Sequence, residues 1–418
     1  DAGGQPLWSA RHAPFGRLLP QRDQGFQLAL RLPGQYEDPA TGLHYNDHRW
    51  YDPDTGRYLS PDPLGLRGGP NPYVYADNDP LTRIDPSGLL LFAFDGTDNG
   101  DPPSRRDDWS NVYKLAQAYA DGRVWYMAGV GRTDQASGIS GSSRDRLDAS
   151  TALARVDYMF DELVRVAASP EWAGRWVDVD VIGFSRGAAM AREFANRVSD
   201  GISSGRWTRA GSCVRLRFLG LWDTVAQFGL SGVFNAAWRL SVPADVAYAA
   251  HAVALNEHRT LFPLESIVGS PAGGTRVERG FIGARSDVGG SSAEGDLADV
   301  ALGWMHAQAA LAGVKLFALT SEYARVSAPL LHDSDLDRQG DRQFRHQASW
   351  SKPVPSIYLQ RAAPVQGMRW KDTATFITRF DAPLPDAYGE PTLVGMVDMA
   401  AYSGWLSANY GFEVGWTP

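Results

Sequence analysis

An α/β fold, with a mostly parallel sheet, flanking helices and a small β-rich segment in front of it, is predicted by three features of the chain. From residue 90 onward, apolar runs of strand length alternate with stretches of helical spacing. The first 89 residues are instead crowded with turn dipeptides, and polar groups fit for chemistry fall at the ends of the later apolar runs. With 418 residues, 44% hydrophobic and 21% charged, the chain is long enough for two or three domains and apolar enough for a sizeable core.

In the first 89 residues, Asp38-Pro39, Asp52-Pro53, Asp54-Thr55-Gly56, Asp62-Pro63, Gly68-Gly69-Pro70, Asn71-Pro72, Asp79-Pro80 and Asp85-Pro86 separate short Tyr-rich pieces such as Leu43-His44-Tyr45-Asn46 and Tyr73-Val74-Tyr75. Brief strands joined by tight turns give that pattern. Beyond them, Leu89 to Phe94 reads as a strand ending in Asp95-Gly96-Thr97. Asn111 to Asp121 and Thr151 to Ala168 read as helices, Val177 to Phe184 and Val214 to Trp222 as strands, and Leu297 to Ala312 as an amphipathic helix. Strands separated by helices imply right-handed crossovers and a parallel sheet, in which chemistry collects at the carboxyl ends of strands.

At one such end stands Gly183-Phe184-Ser185-Arg186-Gly187, between the strand and the small helix formers Ala188-Ala189-Met190-Ala191. A Gly-x-Ser-x-Gly elbow needs glycines on both sides because the turn is sharp and the helix passes close to the strand; the next N–H, that of Arg186, then faces an oxyanion. Asp223 ends another strand, and Ser followed by Asp is the chain order of an α/β-hydrolase, whose acid orients a base histidine. Gly96 and Thr97 are placed to give the second oxyanion N–H. Asp95 or Asp223 could instead simply cap a helix.

Composition excludes several classes. Against 48 acids there are 40 bases, a net charge of −8, and no basic stripe, which argues against a nucleic-acid partner and for a neutral or amphipathic substrate. Cys213 is the one cysteine, so no intrachain disulfide can form; it reads as a small core residue. No zinc-type spacing is present, and neither metal nor cofactor is expected. No run of about 18 apolar residues exists to span a membrane. Without an initiator methionine or a signal sequence, Asp1 reads as the start of a processed piece of something longer.

Two resemblances follow. Gly42-Leu43-His44-Tyr45-Asn46, Arg49-Trp50-Tyr51-Asp52-Pro53, Thr55 to Pro63 and Asn71 to Pro80 resemble the core-associated end of Rhs/YD-repeat proteins, over residues 34 to 89. The resemblance implies a β-sheet shell around a C-terminal toxin and an aspartyl autoprotease, with Asp62 and Asp85 as its pair and a cut between Leu89 and Leu90. Two close carboxyls suit that chemistry, since like charges keep one protonated. Asp62 and Asp85 could also simply open Asp-Pro turns. The expected domains are 1–89, the Rhs end, and 90–418, the toxin.

The second resemblance is carried by Phe94-Asp95-Gly96-Thr97-Asp98-Asn99, Gly129-Val130-Gly131, Gly183 to Ala188, Leu221-Trp222-Asp223-Thr224-Val225, His251 to Arg259 and Ser286-Asp287-Val288-Gly289-Gly290. From 91 to about 313 these resemble the lipase effectors of type VI secretion. That implies a phospholipase A acting through Ser185 on membrane glycerophospholipid in a rival cell's periplasm. It also implies type VI delivery proteins and a cognate immunity protein as partners, and synthesis in the cytoplasm. One departure stands out: the family's base histidine precedes Ser-Asp-Val-Gly-Gly, and here that position is Arg285. A guanidinium stays protonated and is no general base, so the chain is expected to be nearly inert. Other expectations are a non-catalytic form that engages an immunity protein or membrane, or a soluble-ester or thioester hydrolase.

His251 and His258 read as structural residues on a helix, and His306 as core or surface; none is a preferred base. Phe228 to Ala250 reads as a lid or acyl-chain wall, or as buried helix packing. Trp370, Trp405 and Trp416 read as core aromatics or membrane contacts. Residues 314–418 carry no recognisable motif.

Overall fold

The computed structural model describes residues 11–19, 28–32, 35–46, 49–60, 73, 75, 89–100, 109–169, 172, 176–229, 232–257, 262–292, 295–333, 373, 375–385 and 391–417. The chain divides into two compact units, residues 1–89 with 120–123, and residues 90–119 with 124–418.

In the first unit, β1 (Gln35–Glu37), β2 (His44–Asn46), β3 (Arg49–Asp52) and β4 (Arg57–Tyr58) form an antiparallel sheet in chain order. The same pentapeptide, Asp-Pro-x-Thr-Gly, makes two of its turns. Asp38 accepts from the Ala40 N–H (3.1 Å) and Thr41 Oγ1 (2.8 Å), and Asp52 from the Asp54 N–H and Thr55 Oγ1 (both 2.9 Å). In each, the closing glycine takes positive φ, +72° at Gly42 and +69° at Gly56, which an L side chain resists. Tyr51, Tyr58 and Tyr75 form the small core, with the Tyr51 and Tyr75 rings 4.8 Å apart. Asp62 and Asp85 lie outside the described residues.

The second unit is built on a six-stranded sheet of order β10-β9-β8-β7-β5-β6. Its strands are β5 (Leu89–Phe94), β6 (Arg123–Met127), β7 (Trp176–Phe184), β8 (Cys213–Trp222), β9 (Tyr248–Ala254) and β10 (Thr275–Phe281), with β7 through β10 parallel. Alternate residues of β5 face opposite layers. Phe92 and Phe94 stack on Phe194 of α4 (Arg186–Ser203), against which α3 (Ala152–Ala167) packs. Leu91 and Ala93 join a core containing α1 (Asn111–Ala118) and α7 (Ala298–Leu311). Two short helices, α2 (Ser143–Asp148) and α5 (Arg206–Arg209), flank this frame.

The acids that alternate with valines along β7 are not a solvated face. Asp178 receives two 2.7 Å hydrogen bonds from Arg215, and the fully buried Asp180 is paired with Arg217 and accepts from Tyr119 Oη at 2.7 Å. Cys213, expected in the core, opens β8 only partly buried.

His251 corrects the sequence reading. The segment Tyr248-Ala249-Ala250-His251-Ala252-Val253-Ala254 has helix-forming alanines but is β9, paired on both edges and buried on both faces. Small side chains are what such a central strand accommodates, and tertiary burial overrides propensity. His258 lies outside the described residues. Between Phe228 and β9 the described residues form one 3-10 turn, Asn235–Ala237, and no buried helix; Phe228 stacks on Trp238 at 3.7 Å.

The described residues between 314 and 417 add further elements. β11 (Leu330–Asp333), β13 (Pro391–Val397) and β12 (Ile377–Pro385) form an antiparallel sheet in that order, followed by α8 (Met399–Tyr410), capped by Asp398 on the Ala401 N–H at 3.0 Å. Tyr402 Oη accepts from the Ile282 N–H (3.3 Å) and Tyr410 Oη donates to the Gly280 carbonyl (2.8 Å), so α8 braces the end of β10. Trp405 and Trp416 pack against the main core, and Trp370 is outside the described residues.

Candidate active site

Ser185 sits at the end of β7 with φ 60° and ψ −126°, a conformation sparsely populated by L residues and costly unless its surroundings impose it. They do so through backbone bonds: the Ser185 N–H donates to the Trp222 carbonyl (3.0 Å), and its carbonyl accepts from Val225 (3.2 Å). The flanking glycines are required by contact. A Cβ on Gly183 would stand 2.6 Å from the Gly187 carbonyl oxygen, and one on Gly187 would stand 2.3 Å from the carbonyl oxygens of Phe94 and Asp95. The elbow is thereby laced to β5 on one side and to the end of β8 on the other.

β8 delivers Asp223, fully buried, with φ 37° and its Oδ1 accepting the Ala254 N–H at 3.0 Å. The short helix α6 (Ser286–Gly289), after β10, delivers Arg285. Its Nη2 donates to Ser185 Oγ, its Nε lies 3.7 Å from Asp223 Oδ2, and its guanidinium is 4.4 Å from the Phe262 ring centre. The sequence-predicted trio Ser185, Asp223 and Arg285 is therefore together in space, with a guanidinium between serine and carboxylate. Such a group neutralises Asp223 and donates to Ser185, but it cannot accept the serine proton.

The rim next to Ser185 is built from the ends of β5 and β7. Arg186 is the first residue of α4, where N–H groups have no intrahelical acceptor and the helix dipole favours negative charge. Its side chain ties the rim together, with Nε donating to Thr97 Oγ1 at 2.8 Å and Nη2 to the Arg146 carbonyl at 2.5 Å. The Gly96 N–H donates to Asp95 Oδ1 at 2.6 Å. Asp95 also accepts from Ser110 Oγ (2.6 Å) and Tyr126 Oη (2.5 Å). Burial pushes its carboxyl up to about 6, against the opposing pull of hydrogen bonds from Ser110, Tyr126, Gly96 and Asn99.

His251 and His306 serve the frame. His251 is fully buried, with Nδ1 2.9 Å from Glu278 and Nε2 accepting the Thr224 N–H at 3.1 Å. His306 Nε2 lies 2.9 Å from the Phe317 carbonyl oxygen. Among the described residues, no cluster of His, Cys, Asp or Glu could hold a metal ion, and no helix is long and apolar enough to cross a membrane.

Residues 200–308 match the Tle1-like phospholipase effector catalytic domain of type VI secretion. The Tle1-like match takes in Asp223 and Arg285 and begins after Ser185. The chain is also 47% identical over 91 residues to the toxin protein Tse5 of Pseudomonas aeruginosa, spanning 22% of this chain and 7% of that protein. It is 45% identical over 94 residues to double-stranded DNA deaminase toxin A of Burkholderia cenocepacia, covering 21% of this chain and 6% of that one. To the probable deoxyribonuclease RhsB of Dickeya dadantii it is 38% identical over 96 residues, 23% and 6% of the two chains. The chain thus spans less than a tenth of the length of these relatives. The structure of the Tle1 effector bound to the VgrG spike overlays with a TM-score of 0.37 at 19% identity, covering 76% of this chain and 70% of that one. An uncharacterized Pseudomonas aeruginosa protein overlays at 0.44 and 22% identity, covering 56% and 47%. Both halves of the resemblance, type VI lipase effector and Rhs toxin, are met by these matches.

Sequence reasoning missed the groups around the site that come from distant segments. Ser110 and Tyr126 hold Asp95, Phe262 covers Arg285, and His332 of β11 pairs with Asp287 of α6 across 45 positions of chain. Nothing local in the sequence signals those approaches.

Proposed function

We propose that this chain is the toxin-bearing end of an Rhs effector of type VI secretion. Its second unit is a serine hydrolase of the phospholipase A type held in an inactive form by Arg285. The observation that carries the reading is the strained elbow at Ser185, with residue 285 on its hydroxyl and Asp223 beside residue 285. In the active form, a histidine at 285 takes the Ser185 proton and Asp223 orients the imidazole. Ser185 Oγ attacks the glycerophospholipid ester carbonyl, and the lysolipid leaves with that proton as the acyl-enzyme forms. Water then releases the fatty acid. The N–H groups of Arg186 and Thr97 hold the oxyanion; the Gly96 N–H, bound to Asp95, fixes the loop that carries Thr97.

Autoproteolysis by Asp62 and Asp85 between Leu89 and Leu90 frees the toxin. Type VI delivery proteins and the remainder of the Rhs shell carry it to the target periplasm, and a cognate immunity protein protects the producer. A specific observation favours a second reading: the guanidinium seated on Ser185 Oγ suits a non-catalytic form that still binds an immunity protein or membrane.

The deciding experiment measures fatty-acid release from phospholipid vesicles by the chain as it stands, by Arg285→His, and by Ser185→Ala in the Arg285→His background. Activity is expected only with histidine present and serine intact, with a gain of at least about a thousandfold, the scale of a lost triad member. Silence of Arg285→His on phospholipids and simple esters alike overturns the hydrolase reading. Activity of the unaltered chain overturns the assignment of residue 285.

A further inference from the structure

We propose that Ser292, His332 and Asp287 form a second nucleophilic serine centre, separate from Ser185, that accepts short acyl esters. Asp287 belongs to α6 and His332 to β11, so the centre lies across the junction of those elements. Asp287 Oδ1 lies 2.5 Å from His332 Nδ1, and Ser292 Oγ lies 3.4 Å from His332 Nε2. The order acid, imidazole, hydroxyl, with the imidazole bridging through its two nitrogens, is that of an activated serine; a distance of 3.4 Å is in the looser range usual before substrate binds.

The acid is held as such an acid must be. Asp287 is 3% exposed, and its Oδ2 accepts the N–H groups of Ala284 (2.9 Å) and of His332 itself (2.7 Å), so carboxylate and ring are fixed relative to one another. Lys114, Asp296, Asp299 and Glu322 line the adjoining cavity together with Ser286 and Asp287 of α6. Lys114 is paired with Asp299 at 2.6 Å, Asp296 accepts from the N–H groups of Ser327 and Ala328, and Asp287 is in direct contact with the imidazole.

Beside these residues is a cavity of about 280 Å³ lined by Ser291, Ser292, Trp109, Tyr323 and Lys114. It holds a short acyl chain against the aromatic rings and is too small for a diacyl lipid. Lys114 also lines the cavity, its ammonium held on Asp299 at 2.6 Å and 4.5 Å from the Tyr323 ring centre. In the reaction, Ser292 Oγ bonds to the acyl carbon, its proton passes to His332 Nε2, and the ester's alcohol leaves with that proton. Water, deprotonated by the same nitrogen, then returns Ser292 and the free acid.

Arg285 makes the test clean, because Ser185 lacks a base in the chain as it stands. The full chain is treated with a fluorophosphonate probe and the modified serine located by peptide mass spectrometry. Labelling is expected at Ser292, unchanged in Ser185→Ala, abolished in Ser292→Ala, and slowed at least about a hundredfold in His332→Gln. Thermal melting of His332→Gln checks that its fold survives; if it does not, Ser292→Ala against Ser185→Ala decides. Hydrolysis of p-nitrophenyl acetate should follow the same pattern. No labelled serine, or labelling at Ser185 alone, overturns the proposal and leaves the phospholipase reading to its own vesicle assay.

Discussion

At the scale of single residues, the site is governed by which groups carry charge where water is scarce. Asp95 is pushed up to about 6 by burial, and so is Asp299, whose burial is only partly offset by Lys114. A carboxyl raised in the folded state favours folding below its ordinary value near 3.8 and loses that contribution as pH rises through about 6. For Asp95 the difference corresponds to roughly 3 kcal/mol. Urea denaturation at a series of pH values should show stability falling between pH 4 and 6.5, and Asp95→Asn should shrink that fall. An unchanged profile in Asp95→Asn would remove this carboxyl from the account. Asp95→Asn should also impair catalysis in the Arg285→His background by loosening the Gly96 N–H, read as a fall in kcat with KM little changed.

At the scale of elements, the elbow and the clamp on α4 are the parts whose damage should spread. Gly187→Ala would drive a methyl to 2.3 Å from the carbonyl oxygens of Phe94 and Asp95 at the end of β5, and a loss of about 3 kcal/mol or more is expected by chemical denaturation. Glu193, 5% exposed, receives Arg239 Nη2 at 2.9 Å and Arg197 Nε at 3.0 Å, fastening the segment after Phe228 to α4. Burial raises that carboxyl, but the hydrogen bonds from Arg239 and Arg197 outweigh it and hold it below its ordinary value. Its contribution is therefore present above about pH 4.5 and lost on acidification, the opposite sign to Asp95. Glu193→Gln should cost roughly 1–3 kcal/mol at neutral pH and little at pH 3. These elements also show what was legible in advance. β5, β7, β8, α3 and α7 could be read because long apolar runs or helical spacing carry their own period. β9 could not, because an alanine-rich strand buried on both faces looks helical until its neighbours are known. The elbow was legible because its glycines are local. The Asp95 cradle and the Asp287–His332 pair were not, because their partners are distant in sequence.

At the scale of the whole molecule, relatives matching over about ninety residues bear names as different as a DNA deaminase and a deoxyribonuclease. If the first unit releases the second, the purified chain should give two fragments meeting at Leu89 and Leu90 in intact-mass measurement. Asp85→Asn should then leave a single chain. A cut in that variant would rule out the aspartyl pair.

The preassembled elbow also has a meaning in mutational distance. Ser185 already holds its strained turn, Asp223 is already seated beside residue 285, and the backbone bonds that fix both owe nothing to the side chain at 285. Arginine and histidine codons can differ by a single base, so on the proposed chemistry a silent toxin and an armed one are adjacent genotypes. On that chemistry, one base change at codon 285 would restore a proton acceptor with no rebuilding of the elbow.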